Sequence, residues 1–174
     1  FGRFKAAKNL LKTLVKDGLS EKQQDHILLE IHLARFEKLD RPTQSFIIKM
    51  AKKYPESGID YLLRSLKAKD KDVRLKYCFK AIEKNPRISC AYAIRAGIQS
   101  QSVPPEVLIA DCNIALRISP NMALAYGNRG IGYSQLKKNW AAIKDLKRSL
   151  KIDPKQAYAE RHLGYVYDRL ENMG

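Results

Sequence analysis

Apolar residues recur three and four positions apart through most of the chain, which is the spacing of a helix with one buried face. Clear runs are Ile114, Ala115 and Ile118, followed by Ile143, Leu146 and Leu150. No alternation of apolar and polar residues is long enough to indicate a β-strand. The pattern therefore predicts an all-α protein.

The same periodicity predicts four helices and a basic amphipathic segment in the N-terminal half. Ser20 and Gln23 form a capping-box pattern that opens a long helix over 20–40. Further helices are predicted over 43–53, 57–68 and 72–84. The first segment, 1–18, places apolar and lysine positions near different faces and ends at Gly18, a typical C-terminal stop.

Three prolines, Pro86, Pro120 and Pro154, are spaced 34 residues apart, and a polar residue precedes each of them. Proline lacks a backbone N–H and clashes with the preceding turn of a helix. Each polar-proline pair is therefore predicted to close one helix and open the next, with the polar residue as cap and proline in the first turn. Each period then contains two antiparallel helices, and the chain is an array of like units.

The period also aligns small residues and aromatic residues at fixed places. Ala96, Gly130 and Gly164 coincide, as do Gln99, Tyr133 and Tyr167, and Asp111 coincides with Asp145. A glycine inside a helix costs about 0.5–1 kcal/mol relative to alanine. We therefore expect Gly130 and Gly164 to lie where two backbones pass too close for a side chain.

These motifs resemble the tetratricopeptide repeat family. The segment 125–154 is similar to a complete repeat, with Gly130, Tyr133, Leu136, Ala142, Ile143 and Pro154 in family places, and 157–170 is similar to the first helix of the next repeat. The repeat that ends at Pro120 departs from the family at Gln99, at Leu108 and in the turn 103–106. The resemblance implies a right-handed α-solenoid of antiparallel helix pairs. Residues 1–84 would form degenerate repeats, residues 85–174 two recognisable repeats plus the first helix of a third, and the two parts one continuous solenoid.

The resemblance further implies a non-catalytic interaction module, a scaffold or adaptor, that docks a peptide or helix in a concave groove lined by the first helix of each pair. The groove candidates follow from their positions around the predicted first helices: Asn128, Ile131, Ser134, Gln135, Tyr158, Arg161, His162, Tyr165 and Arg169. Leu124 and Gly127 lie on the same face, and the preceding unit contributes Cys90, Ala93, Ile94 and Gly97. The side chains at the start of the groove are small and apolar, and those at its end are aromatic and basic. Such a surface suits a protein partner with apolar and acidic elements. Alternatively, Tyr158 and Tyr165 pack against a further helix.

One branch of the family clamps the carboxylate-ended tails of heat-shock chaperones with lysine, arginine and asparagine side chains. Only Asn128 matches that set, since Ala93, Gly97, Tyr158 and His162 occupy the other places. The sequence does not predict a chaperone adaptor of that type.

The chain carries 33 basic and 18 acidic residues, a net charge of +15. Thirteen basic against five acidic residues lie between Lys49 and Arg95, and a second basic group follows the outer helix of the best repeat. We expect a basic face formed by Lys52, Lys53, Lys67, Lys69, Lys71, Arg74 and Lys76. Three interpretations remain open: contact with an acidic protein, sequence-independent binding of nucleic acid or a ribonucleoprotein, and a solvated surface without a specific role.

The sequence contains few candidates for catalytic, metal-binding or cofactor-binding residues. Cys78, Cys90 and Cys112 show no CxxC spacing, and the three histidines show no metal-binding spacing. No nucleophile motif is present, and the glycine-rich stretch 127–132 lacks the strand and lysine of a phosphate loop. The sequence thus predicts no enzyme activity, no cofactor and no metal.

Compartment and assembly are predicted only in outline. Free cysteines indicate a reducing, cytoplasmic setting, and no apolar stretch approaches the roughly 18 residues that a transmembrane helix needs. The chain begins without Met and ends one helix into a repeat, so we expect a piece of a longer protein, whose targeting signal lies elsewhere if it has one. The last helix, with Leu163, Val166 and Leu170 exposed, is a candidate dimerisation surface.

Overall fold

The computed structural model describes residues 41–172, without the side chains of residues 41–44, 46 and 47. This part of the chain contains eight helices and no strand: α1 Arg41–Lys53, α2 Gly58–Lys67, α3 Lys71–Lys84, α4 Ser89–Gln99, α5 Pro105–Ile118, α6 Ala123–Gln135, α7 Asn139–Ile152 and α8 Ala157–Glu171. The all-α prediction is confirmed there. The amphipathic segment 1–18 and the helix predicted over 20–40 lie outside the described residues.

The polar-proline pairs close helices as predicted, but they do not open the next ones. The backbone N–H groups of Asn85, Ser119 and Asp153 donate to carbonyls at the ends of α3, α5 and α7. The following helices begin three residues after each proline, at Ser89, Ala123 and Ala157. The prolines therefore lie in the connections, not in a first helical turn. A residue before proline is held out of the α region, so these positions end a helix efficiently.

The second helix of each pair recurs with the 34-residue spacing of the prolines. Helices α3, α5 and α7 begin at Lys71, Pro105 and Asn139 and all have 14 residues. The spacing therefore extends upstream of the two full periods, into α3. The longer α4–α5 connection, which contains Pro104, leaves this spacing intact because α4 ends earlier than α6.

Each helix packs against the next one along the chain, which gives a row of antiparallel pairs. The core between the pairs contains fully buried side chains from every pair, among them Leu62, Cys78, Ile88, Leu108, Met122, Leu146 and Val166. Burial of these side chains supplies most of the stability of a stacked array, because helical propensity alone does not hold short helices together.

The predicted close approach of two helices occurs at Gly130 and not at Gly164. A Cβ atom at Gly130 would lie 2.8 Å from Leu146 Cγ and 3.2 Å from the carbonyl oxygen of Ala142, so α6 and α7 require glycine here. At Gly164 a Cβ would meet nothing within 4 Å. The two glycines share a register, but only the first is held by packing.

All three cysteines are buried and free, as expected for small core residues. Burial raises the pKa of the Cys78, Cys90 and Cys112 thiols, and the hydroxyl of Ser65 lies 3.1 Å from the Cys78 sulfur. A thiolate is the reactive form, and burial disfavours it.

We expect the three thiols to react with a thiol reagent such as DTNB only as fast as the array opens. The unfolded chain has an ordinary thiol pKa, so raising the pH through that value favours the unfolded state and lowers stability. Labelling followed by mass spectrometry, in native buffer and in denaturant, measures this. Rapid native labelling of any one cysteine would contradict its burial.

Candidate docking groove

The first helices of the pairs form the inner side of the array. Among the described helices, α4 contacts α6 and α6 contacts α8, whereas the second helices α3, α5 and α7 make no comparable contacts with one another. The row therefore bends toward its first helices, and their exposed side forms the concave surface.

Polar side chains of α6 and α8 reach the backbone at the first helix of the preceding pair. The side-chain amides of Asn128 and Gln135 donate to the carbonyl oxygens of Ala93 and Ser100, at 2.8 and 2.7 Å, and the Arg169 guanidinium donates to the carbonyl of Ser134 at 3.0 Å. All three contacts join residues 35 apart in the sequence. They fix the spacing and angle between successive pairs.

Several predicted groove residues consequently face a neighbouring helix more than open solvent. Asn128 and Ser134 are each only 4% exposed. Gly97 provides the space for Asn128, since a Cβ there would lie 2.9 Å from the Asn128 amide nitrogen. In this structure Asn128 and Ser134 form the wall of the groove and do not line its open surface.

Tyr158 lies in the same interface between α6 and α8. Its ring covers Gly127, where a Cβ atom would come within 2.8 Å of Tyr158 Cε2. Burial raises the pKa of the Tyr158 hydroxyl, against a smaller opposing effect of the Ser149 hydroxyl. Of the two alternatives for this tyrosine the structure shows packing, although the contact is with α6 and not with a later helix.

Three residues on the concave side form a row with the repeat spacing. Gly97, Ile131 and Tyr165 are 34 residues apart; Gly97 and Ile131 are half-buried, and Tyr165 is 60% exposed. The guanidinium of Arg169 lies 5.7 Å from the centre of the Tyr165 ring. Along the row the residue is first a glycine, then an aliphatic and then an aromatic side chain, and the last of these lies beside the Arg169 cation.

The rim near Tyr165 carries further polar groups. Arg161 is exposed, and His162 is half-buried with a pKa lowered first by burial and then by the Arg161 charge. Gln135 is exposed although its amide is bound to Ser100. Tyr165 and Arg161 are therefore the most available of the predicted groove residues, and Ile131, one period before Tyr165, is half-buried.

Two buried ion pairs that the sequence pattern did not predict repeat along the array. Arg95 binds Asp111 through two hydrogen bonds of 2.7 and 2.6 Å. Arg129 binds Asp145 in the same way, at 2.6 and 3.0 Å. Each carboxylate side chain is 7% exposed. The 34-residue alignment of the two aspartates was visible in the sequence, but their partners lie on the other helix of the pair.

Aromatic rings cover both arginines. The Arg95 guanidinium lies 4.9 Å from the Phe79 ring centre and 5.4 Å from that of Tyr92. Arg129 lies 5.5 and 5.9 Å from Tyr126 and Tyr133. These two cations are used in packing, so the positive charge available to a partner is smaller than the sequence count.

The predicted basic face is not one continuous face. Lys52 and Lys53 end α1, whereas Lys67, Lys69, Lys71 and Arg74 surround the turn between α2 and α3. Because α1 and α2 are antiparallel, these groups lie at opposite ends of α2, about 15 Å apart by the rise of ten residues. Lys76 is exposed farther along α3, and Arg74 is half-buried.

The second basic group, on α7, is also partly engaged. The Lys147 ammonium lies 5.5 Å from the Tyr167 ring centre, and Arg148 donates to the Asn121 side chain at 3.0 Å. Lys137, Lys138, Lys144 and Lys151 are exposed.

The proposed dimerisation surface on α8 is smaller than predicted. Val166 is fully buried, contrary to the expectation, and belongs to a core cluster with Leu146. Leu163 and Leu170 are half-buried against the same cluster. Among residues 41–172 there is no group of three or more potential metal ligands, and none of the helices found there is long and apolar enough to cross a membrane.

The described part of the chain is an α-solenoid of antiparallel helix pairs of the tetratricopeptide type. Among solved structures it is similar to the first TPR domain of human RPAP3, with a TM-score of 0.59 and 22% identity over 68% of this chain and 96% of that one. It is also similar to the first TPR of Spaghetti (RPAP3) bound to the HSP90 peptide SRMEEVD, with a TM-score of 0.58 and 22% identity over 67% and 97%.

A third similar structure is the TPR2B-domain:pHsp70 complex of yeast Sti1, with a TM-score of 0.53 and 20% identity over 67% of this chain and 98% of that one. At these identities the likeness concerns the fold. No protein-family model and no curated protein matches the sequence.

Proposed function

We propose that this solenoid is a non-catalytic docking module, a scaffold or adaptor that holds a peptide or helix of a partner protein in its concave groove. The observation that carries the proposal is the row of half-buried Gly97 and Ile131 and exposed Tyr165 on the inner side of the array. A partner segment with apolar side chains at helical or extended spacing would fit such a row. Tyrosine contributes strongly to binding at interfaces.

The chemistry of the rim favours a partner with acidic as well as apolar elements. Arg161 is exposed beside the row, and Arg169 lies next to Tyr165. Two of the similar folds are complexes with HSP90 and Hsp70 peptides, and their occupancy supports peptide docking in this architecture. The chaperone-clamp places here hold Ala93, Gly97, Tyr158 and His162, so we propose a different partner sequence.

Asn128, Gln135 and the Arg169 guanidinium have a supporting role in this proposal. Their hydrogen bonds to the preceding helix fix the groove, so they set the distance between subsites instead of supplying the main contacts. We place the module in a reducing, cytoplasmic setting, which the three buried free thiols support.

Affinity capture from a lysate of the source cells, treated with nuclease, tests the proposal. We expect Ile131→Glu to lower retention of a protein partner at least about tenfold, because a charge would enter the apolar row. Val107→Glu is the matched control, since Val107 is an exposed apolar residue on the second helix α5. The partner should be retained by this control and by the unmodified chain.

Two outcomes would overturn the proposal. Equal loss of the partner with Ile131→Glu and Val107→Glu would mean that the groove is not the binding surface. The nucleic-acid adaptor would be favoured instead if two results were found together. Nuclease would remove all captured material, and charge reversal of Lys67, Lys69 and Lys71 would also abolish its capture.

A further inference from the structure

The only tryptophan of the chain lies almost free in solvent. Trp140 is the second residue of α7, and it is 77% exposed. Tryptophan is enriched among the residues that dominate binding energy at protein interfaces. Trp140 belongs to neither the groove row nor the core, so its exposure has no explanation within the groove proposal.

Trp140 borders a shallow cleft of about 350 Å³ at the turn between α6 and α7. The cleft is lined by Lys137, Lys138, Asn139, Trp140, Ala141 and Leu170. Its walls therefore come from the turn, from the first residues of α7 and from the end of α8.

Backbone and side-chain contacts hold this cleft in shape. Lys137 has φ 57°, in the left-handed region, and its N–H donates to the Ser134 carbonyl at 3.0 Å. The Lys138 N–H donates to the Tyr133 carbonyl at 2.9 Å. Arg169 donates to the Asn139 side chain, which fastens α8 to the start of α7 and places Leu170 opposite the turn. The site is thus formed before any ligand binds.

The charged residues that line the cleft have one sign. Its lining contains two lysines and no carboxylate, and exposed Lys144 lies one helical turn beyond Trp140. An acidic ligand is attracted to such a site, whereas a basic one is repelled. The apolar surfaces of Trp140, Ala141 and Leu170 add a place for one bulky side chain.

We propose that this cleft is a second docking site, which binds a short acidic segment of a partner protein. One leucine-sized or phenylalanine-sized side chain inserts between Trp140 and Leu170, and flanking carboxylates pair with Lys137 and Lys138. The site acts independently of the groove row, because none of its lining residues belongs to that row. A peptide is favoured over nucleic acid because a small cleft bounded by Trp140 and Leu170 offers room for one aliphatic or aromatic side chain and not for a succession of stacked bases.

Intrinsic fluorescence measures occupancy directly, since Trp140 is the only indole in the chain. The probe is an equimolar pool of capped octapeptides in which one Leu, Ile or Phe is flanked by Glu and Asp. A matched pool has Ser in place of the apolar residue. We expect the first pool to shift the Trp140 emission to shorter wavelength and the second pool to bind at least about tenfold more weakly.

Variants separate this site from the groove. With a dye-labelled pool followed by anisotropy, Trp140→Ala and Lys138→Glu should each weaken binding at least about tenfold. Lys151→Glu carries the same charge change at the other end of α7 and should leave binding within about twofold. Ile131→Glu should do so as well. Circular dichroism confirms that each variant is folded.

The proposal is overturned if neither emission nor anisotropy changes up to about 1 mM peptide, the weakest affinity that a docking motif would need. It is also overturned if Lys151→Glu weakens binding as much as Lys138→Glu, which would indicate a diffuse charge effect. Loss of binding in Ile131→Glu alone would assign the peptide to the groove. Tighter binding of a single-stranded oligonucleotide than of the peptides would assign the cleft to nucleic acid.

Discussion

Replacement of Arg129 by leucine will lower the free energy of unfolding by about 3 kcal/mol, because it leaves the Asp145 carboxylate buried without its cation. In the native structure both oxygens of Asp145 accept hydrogen bonds from this guanidinium, and the side chain of Asp145 is 7% exposed. Arg129 also donates to the Asn113 side chain at 2.8 Å, so the variant loses a contact with α5 as well. Urea denaturation followed by circular dichroism measures the change.

The control is the double variant Arg129→Leu/Asp145→Leu, which removes both charges. A buried ion pair replaced by well-packed apolar residues is often neutral in stability. The array itself contains such a replacement, since Tyr61 stacks on Tyr77 at the places of Arg95 and Asp111 one period earlier. We expect the double variant to recover most of the loss. A double variant less stable than the single one would mean that the pair itself stabilises the fold.

These pairs also show where sequence reasoning stops. The period, the helix ends before Pro86, Pro120 and Pro154 and the one-sided burial depend on local chemistry, so they could be predicted from the sequence. The pairing of Arg129 with Asp145 joins residues 16 apart on two antiparallel helices. Their meeting depends on how those helices are rotated, which hydrophobic spacing specifies only approximately.

The candidate groove was predictable to a similar extent. Helical phase placed Ile131 and Tyr165 in one set with Asn128 and Ser134, although Ile131 is half-buried, Tyr165 is exposed, and Asn128 and Ser134 are buried. Asn128 differs from Ile131 because its amide donates to Ala93 on the preceding first helix, and Ser134 differs because its carbonyl accepts from Arg169 on the following one. Both contacts span 35 residues. The same limit explains the divided basic face, because counting lysines along the chain takes no account of the antiparallel turn between α1 and α2.

Alanine at Gly130 and alanine at Gly164 should change stability in opposite directions. We expect Gly130→Ala to cost about 1–3 kcal/mol, because the new methyl group would clash with Leu146 Cγ at 2.8 Å and press against the Ala142 backbone oxygen at 3.2 Å, which cannot move without shifting α7. Gly164→Ala should instead raise stability by about 0.5–1 kcal/mol, since the methyl group meets nothing and alanine loses less conformational entropy than glycine in a helix. Denaturant midpoints of the two variants measure this.

The two glycines are matched in register, in helix type and in the size of the change, so the comparison isolates packing. If both substitutions stabilise, α6 and α7 are farther apart in solution than in the structure. If both destabilise, another helix covers α8 at Gly164, and the close approach predicted for each repeat holds there too. Stability changes of opposite sign would establish that a first helix requires glycine only where a second helix packs closely against it. Alanine lowers the entropic cost of folding at both positions, and at Gly130 the steric cost would then exceed that gain.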